Sequence, residues 1–160
     1  MGVYRASDYV AWRGALVDVS GRGNHAYNYG DVINSASGSG NGVSESIQYI
    51  YGGTGARLRW PAYSDCLPQQ IKNTITICAV TRYTDSDSQY QERILTDKVE
   101  NFYFGHEDGK RGVMRAVGGM KTADQTQGTS TDWLFMCGQN KNSNDERAVI
   151  VDGKCYVLKL

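Results

Sequence analysis

Proline and histidine are scarce in this chain, two of each in 160 residues, and net charge is missing altogether, with 17 basic residues against 17 acidic. That balance removes the long-range field that gathers proteins onto nucleic acid or anionic lipid, so neither is expected as a partner. No apolar run approaches the length that crosses a bilayer as a helix, and membrane insertion is not expected. The opening Met1-Gly2-Val3-Tyr4-Arg5 has none of the apolar character of a signal peptide. No Cys-x-x-Cys spacing suggests zinc, and no Asn-x-Ser/Thr sequon occurs. Apolar stretches of helical period are also missing, which argues against an α-helical core.

What is present is glycine, at 19, and tyrosine, at 11, a balance that suits many short strands joined by glycine turns. A length of 160 residues fits one domain with a core of its own, and the expectation is a single domain over 1–160. Thr74 to Tyr83 (TITICAVTRY) is rich in β-branched residues and alternates strictly. It reads as a central strand, with Ile75, Ile77 and Ala79 on one face and Thr76, Cys78, Val80 and Arg82 on the other.

Upstream, Met1 to Leu16 is irregular, with Tyr4, Tyr9, Val10, Trp12 and Leu16 as anchors for the core. Asp18 to Ala26 (DVSGRGNHA) places two glycines and an Asn where a tight loop needs positive φ. It reads as a rigid turn held by Asp18 and Asn24; the other reading sets His25 or Asp18 against a ligand. Asn34 to Ser44 is Ser/Gly-rich and reads as a loop within the domain. Ile47 to Tyr51 and Ala56 to Trp60 read as strands, the second with Ala56, Leu58 and Trp60 inward and Arg57 and Arg59 outward, ended by Pro61. Downstream, Arg93 to Thr96, Phe102 to His106, Gly112 to Val117 and Trp133 to Cys137 read as strands. Asp108-Gly109 carries the signal of a hairpin turn, and Asp152-Gly153 would join a last hairpin of Arg147 to Val151 and Cys155 to Leu160. Trp12, Trp60 and Trp133 are assigned to the core. Arg82 and Arg93 are expected to pair with acids across the sheet. Eight or nine short strands without a helix point to a β-sandwich.

Catalysis is not expected. No Glu-x-Asp-x-Glu strand is present, Glu107-Asp108 and Asp145-Glu146 are adjacent pairs that a strand would turn to opposite faces, and neither His25 nor His106 accompanies a nucleophile motif. Asp85-x-Asp87 with Gln89 has the alternate oxygen spacing that hard cations favour but lacks the glycine and closing Glu of an EF-hand. For glycan binding the useful groups are aromatic faces beside amide and carboxylate partners. Tyr27-Asn28-Tyr29 and the loop of Asp85, Asp87, Gln89 and Tyr90 offer them. Four cysteines fit two disulfides or four buried thiols.

Taken in order, SGRGNHA at Ser20 to Ala26, TICAVTRY at Thr76 to Tyr83, Arg93-Ile94-Leu95, Gly105-His106, Trp133 with Cys137-Gly138-Gln139-Asn140, and Val151-Asp152-Gly153 resemble the concanavalin A-like superfamily. Within it, the likeness is to laminin G-like and pentraxin-like modules, and it spans most of the chain. The resemblance implies a jelly-roll sandwich of two antiparallel sheets and an extracellular or surface-exposed module that binds glycans or proteins, often with calcium in rim loops. Carried over, it implies a disulfide between Cys78 and Cys137, which leaves Cys66 and Cys155 as the second pair. The pentraxin calcium cluster lies mostly beyond the segment matching Val151-Asp152-Gly153, so calcium is a secondary expectation, with Asp85 and Asp87 as its candidates. Family members also continue for several strands after that hairpin. The expectation is therefore a jelly roll lacking its last strands, an excerpt of a larger chain or assembly, with an open sheet edge to which a neighbouring chain would add a strand. Its function would be recognition of carbohydrate, or else a structural role in an extracellular fibre, surface layer or virion.

Overall fold

The computed structural model describes residues 2–60, 74–87, 91–96, 103–115, 131–141, 147–151 and 154–158. The chain divides into two compact units, Met1–Gln69 and Gln70–Leu160. Among the described residues both are built from antiparallel strands, with two single-turn 3-10 helices, Ala6–Asp8 and Ala11–Arg13, in the first. No helix among them is long and apolar enough to cross a membrane.

In the N-terminal unit, β1 (Tyr9–Val10), β2 (Ala15–Leu16), β3 (Ala26–Gly30) and β6 (Ala56–Arg59) form one sheet in the order β1-β2-β3-β6. Ala15, Leu16 and Ala26 are buried in it, and Ile33 follows in the connection to the next strand. The Asp18 loop is the rigid turn the sequence suggests. Asp18 accepts the backbone N–H groups of Val3 and Ser20 on Oδ1 at 2.9 Å and that of Asn24 on Oδ2 at 3.1 Å. Gly21 and Gly23, at φ 80° and 73°, supply the left-handed backbone that closes the loop. Tyr4 donates to the Asn24 carbonyl at 2.6 Å, so the chain start is fastened to the same loop.

Asn34 to Ser44 is not a loop. β4 (Asn34–Gly40) and β5 (Val43–Tyr51) form a two-stranded hairpin closed by Asn41-Gly42. Asn41 and Gly42 have φ 53° and 86°, the primed turn whose twist matches that of the flanking strands. The Ser/Gly composition hid the alternation, and the Asn-Gly pair was the signal to weigh. Trp12 and Trp60 are not core residues either. Trp12, 80% exposed, sits in the turn between β1 and β2 with the Arg13 guanidinium 4.5 Å from its ring centroid. Trp60 follows the end of β6 and meets Tyr4 edge to face at 5.6 Å.

In the C-terminal unit, β7 (Thr74–Thr81), β11 (Leu134–Lys141), β12 (Arg147–Val151) and β13 (Lys154–Leu158) form a sheet in the order β13-β12-β11-β7. β8 (Leu95–Thr96), β9 (Tyr103–Glu107) and β10 (Lys110–Arg115) form a second, in the order β10-β9-β8. β7 thus stands at the end of its sheet among the described residues, not in its middle. Its alternation holds where side chains are described: Ile77 and Ala79 pack against the core while Thr76, Cys78 and Val80 are exposed. The core is Phe104 and Met114 from one sheet against Leu134 and Met136 from the other, with Leu95 at its side. Gly138 makes that contact close, since a Cβ there would lie 2.7 Å from the Phe104 ring and 2.8 Å from the Met114 sulfur. The Asp108-Gly109 turn joins the β9–β10 hairpin as read, and β12 and β13 pair antiparallel, with Asp152 and Gly153 between them outside the described residues.

Cys78 and Cys137 are direct partners across β7 and β11 and are joined as a disulfide, their Cα atoms 4.1 Å apart. The bond links residues 59 apart, which in the chain-entropy picture stabilises the fold by about 4 kcal/mol. Cys66 lies outside the described residues, and so does the side chain of Cys155 in β13.

Candidate functional site

Strand pairing brings the N-terminal candidates together. β3 and β6 are antiparallel with Tyr27 opposite Arg59 and Tyr29 opposite Arg57. Period-two alternation turns all four to the same face while Ala26, Asn28 and Leu58 turn inward. Tyr27 is 50% exposed and Tyr29 55%. The Arg59 guanidinium lies 4.4 Å from the Tyr29 ring centroid, a cation–π contact that orients both groups. The His25 ring stands edge-on to Tyr27 at 6.5 Å. His25 is itself held by the loop below, its Nδ1 accepting the Asp18 backbone N–H at 3.0 Å. Among the described residues neither Arg57 nor Arg59 is in an ion pair. The result is a rigid platform of two phenol rings and two guanidinium groups facing solvent.

The loop that leads into β3 is held by the Asp18 carboxylate. Three backbone N–H groups, that of Val3 foremost, hold Asp18 well below the usual carboxylate range although burial opposes them. Asp18 is therefore an anion that braces the loop, and His25 is fixed by that loop through Nδ1.

Of the second set of candidates the structure describes Asp85 and Asp87. Asp85 and Asp87 are exposed, and the Asp85 carboxylate accepts the Asp87 backbone N–H at 2.9 Å, a local turn. Gln91 donates its side-chain amide to the Asp85 carbonyl at 2.6 Å, which fixes the start of the loop. Gln89 and Tyr90 lie outside the described residues. Calcium takes six to eight oxygens, of which the described residues of this loop show the two carboxylates. Among the described residues no three His, Cys, Asp or Glu side chains converge on a metal position.

Arg82 and Arg93 behave differently. Arg93 pairs with Glu107 across β9, donating from Nε and an η nitrogen to one oxygen at 3.1 and 2.6 Å. Arg82 lies over the Trp133 ring at 5.2 Å and donates to the Tyr83 and Thr131 carbonyls.

One cluster of polar side chains is not evident from the sequence: His106, Tyr83, Thr81 and Arg111. His106 is 0% exposed, its Nδ1 3.2 Å from the Thr81 hydroxyl and its ring 4.7 Å from that of Tyr83. Burial, with the Arg111 guanidinium adding, pushes His106 down to about 4. Burial also pushes the Tyr83 phenol above its ordinary range, with Asp108, Glu107 and Glu92 reinforcing it against the Gly109 amide. Arg111 is placed beside them by a bulge at Gly112, φ 77°, and donates to the Trp133 carbonyl at 2.6 Å. The alternation of β10 could not reveal this, because the bulge puts Arg111 and Met114 on one face. Among the described residues the imidazole is fully enclosed and its Nε2 has no hydrogen-bond partner.

Comparison of the chain with protein-family models, curated proteins and solved structures finds no match.

Proposed function

We propose that the chain is a non-catalytic recognition module for carbohydrate, extracellular or surface-exposed, of the concanavalin A-like, laminin G/pentraxin-like jelly-roll type. The observation that carries this reading is the platform: Tyr27 and Tyr29, half exposed on one strand face, with exposed Arg57 and Arg59 opposite them. Phenol rings offer flat faces to the C–H groups of a pyranose, and guanidinium groups offer several donors each to hydroxyl or acidic substituents. Strand geometry fixes the spacing before any ligand arrives, so little ordering entropy opposes binding. The Asp85 loop is a weaker part of the reading, and calcium is not needed for the platform to act.

A glycan array tests the reading. The intact chain should retain a defined class of saccharides, with or without EDTA, and the double variant Tyr27→Ala/Tyr29→Ala should lose it while staying folded. Retention unchanged in the double variant would move any glycan site away from this face.

The rival reading, an assembly domain without a small-ligand site, draws on the other unit. Val80 and Phe135 are cross-strand partners, 55% and 45% exposed, beside the disulfide, and β7 ends its sheet among the described residues. Such an edge suits a neighbouring chain that adds a strand. An intact chain that binds no saccharide but associates with itself would favour it.

A further inference from the structure

Where arginine serves the fold of this chain, its donors are taken. Arg5 and Arg93 pair with the carboxylates of Asp8 and Glu107, and Arg82 and Arg111 donate to backbone carbonyls. Arg57 and Arg59 differ. Both are exposed, and among the described residues no hydrogen bond or ion pair takes up their N–H groups. Arg59 meets the Tyr29 ring at 4.4 Å, a contact that orients the guanidinium without neutralising it. The acid that follows β3, Asp31, lies against Gly55 past the end of the strand and makes no ion pair with Arg57.

The strand register sets these two cations on one face, opposite Tyr29 and Tyr27. They stand two residues apart on one strand, about 6.6 Å, so their like charges repel. Residues 1–69 hold as many carboxylates as arginines, so the unit is balanced in charge as a whole and unbalanced at the platform. A neutral saccharide would engage the guanidinium groups through hydroxyls alone. A carboxylate meets each planar fork with two parallel N–H···O bonds, roughly twice as strong as neutral ones. A sulfate ester spreads its charge over three oxygens and is the weaker acceptor. Two forks suit one or two acid groups, whereas a nucleic acid presents a continuous row of phosphates and needs a basic track to follow it. A bare carboxylate without a sugar ring would leave the two phenol faces unused.

We infer that the platform takes an acidic saccharide bearing a carboxylate, of the uronic or sialic acid class, with Tyr27 and Tyr29 against the sugar ring and Arg57 and Arg59 on the acid. This rests on the platform reading given above and adds the substrate class. The charge on the ligand is met by the protein's own cations, so no bridging metal is required.

The test is calorimetric titration of the full chain with matched pairs: digalacturonic acid and its methyl ester, sialyllactose and lactose, galactose 6-sulfate and galactose, with an oligothymidylate as a further probe. At least one carboxylate should bind roughly tenfold more tightly than its neutral partner, the worth of one charge-assisted hydrogen bond. That margin should shrink in about 1 M salt, where the screening length falls to roughly 3 Å. Arg57→Gln and Arg59→Gln, both at exposed positions, should each remove most of the margin and leave the weaker binding of the neutral partner in place. Equal affinity for acid and neutral partners, with Tyr27→Ala/Tyr29→Ala abolishing both, would overturn the inference and leave the platform standing. So would an unchanged margin in both arginine variants, or tighter binding of the sulfate ester or the oligothymidylate than of either carboxylate. Silence from every probe would overturn it too, and would take the platform with it only where the glycan array is also silent.

Discussion

Among the described residues of the N-terminal unit the buried apolar side chains are Ala15, Leu16, Ala26 and Ile33, while Trp12, Tyr27, Tyr29, Tyr51 and Trp60 are exposed. In the C-terminal unit Tyr83, Tyr103, Phe104, Met114, Leu134 and Met136 are buried, while Val80, Ile94 and Phe135 are exposed. The first unit is held by a carboxylate bonded to three backbone amides, the second by facing sheets and a disulfide. Burial of large apolar groups is the main source of stability, so the second unit is the better scaffold. Exposed aromatic rings on a braced strand are what a recognition surface needs, and the first unit has them.

The largest effect that would sharpen this contrast is reduction of Cys78–Cys137. Loss of about 4 kcal/mol in the chain-entropy model should unfold the C-terminal unit at a much lower denaturant concentration. Amide exchange resolved by residue should speed up across β7 and β11 and stay slow in β3 and β6; equal acceleration in both units would erase the distinction.

Acid should separate the units next. His106 is neutral in the folded chain because its affinity for a proton falls from 6.5 to about 4, so the unfolded chain binds a proton that the folded chain does not between those values. Stability is therefore full above pH 6.5 and falls as the pH drops towards 4, by on the order of 3 kcal/mol in all. Asp18 works in a lower window. Its folded carboxyl is depressed, so what it contributes is present above its ordinary value of 3.8 and lost as the pH falls below it. Between pH 6 and 4.5 the C-terminal unit should weaken first, and His106→Gln should flatten that slope.

Smaller effects follow from two glycines. Gly138→Ala presses a methyl into Phe104 and Met114 and should cost about 1–3 kcal/mol in a denaturant melt. Gly42→Ala places a side chain at φ 86° in the β4–β5 turn and should cost about 1 kcal/mol, confined to the N-terminal unit. Smallest of all is Tyr27→Ala/Tyr29→Ala, with stability changed by about 0.5 kcal/mol or less per site, as for exposed positions generally, and saccharide retention lost. A large loss of stability there would mean that the tyrosines are structural.

Much of the fold was legible because strand faces and turns are local. Ile77 and Ala79 against Thr76, Cys78 and Val80, and the turn at Asp108-Gly109, follow from alternation and turn chemistry alone. Asp18 and Asn24 marked their loop for the same reason. Where the reading failed, a local signal was masked or a distant partner decided. Serine and glycine in β4 concealed a strand whose Asn41-Gly42 turn was in plain view. Trp12 looked like core because of its size, yet it occupies a turn, largely exposed, with the Arg13 guanidinium over its ring. The place of β7 at the end of its sheet depends on pairing with β11, more than fifty residues away, which alternation cannot specify. Tyr27 and Tyr29 were visible as candidates, but the arginines beside them emerged only from the β3–β6 register.

The measurement that bears most directly on the platform is a thermal melt of the full chain and of Tyr27→Ala/Tyr29→Ala across a panel of saccharides, each with calcium and with EDTA. A saccharide at a hundredfold its dissociation constant should add roughly 2.7 kcal/mol to the stability of the native sequence, a plain rise in midpoint, with calcium making no difference. The double variant should show no rise. A flat midpoint for the native sequence across the whole panel, or an equal rise in the double variant, would contradict a recognition face built on Tyr27 and Tyr29.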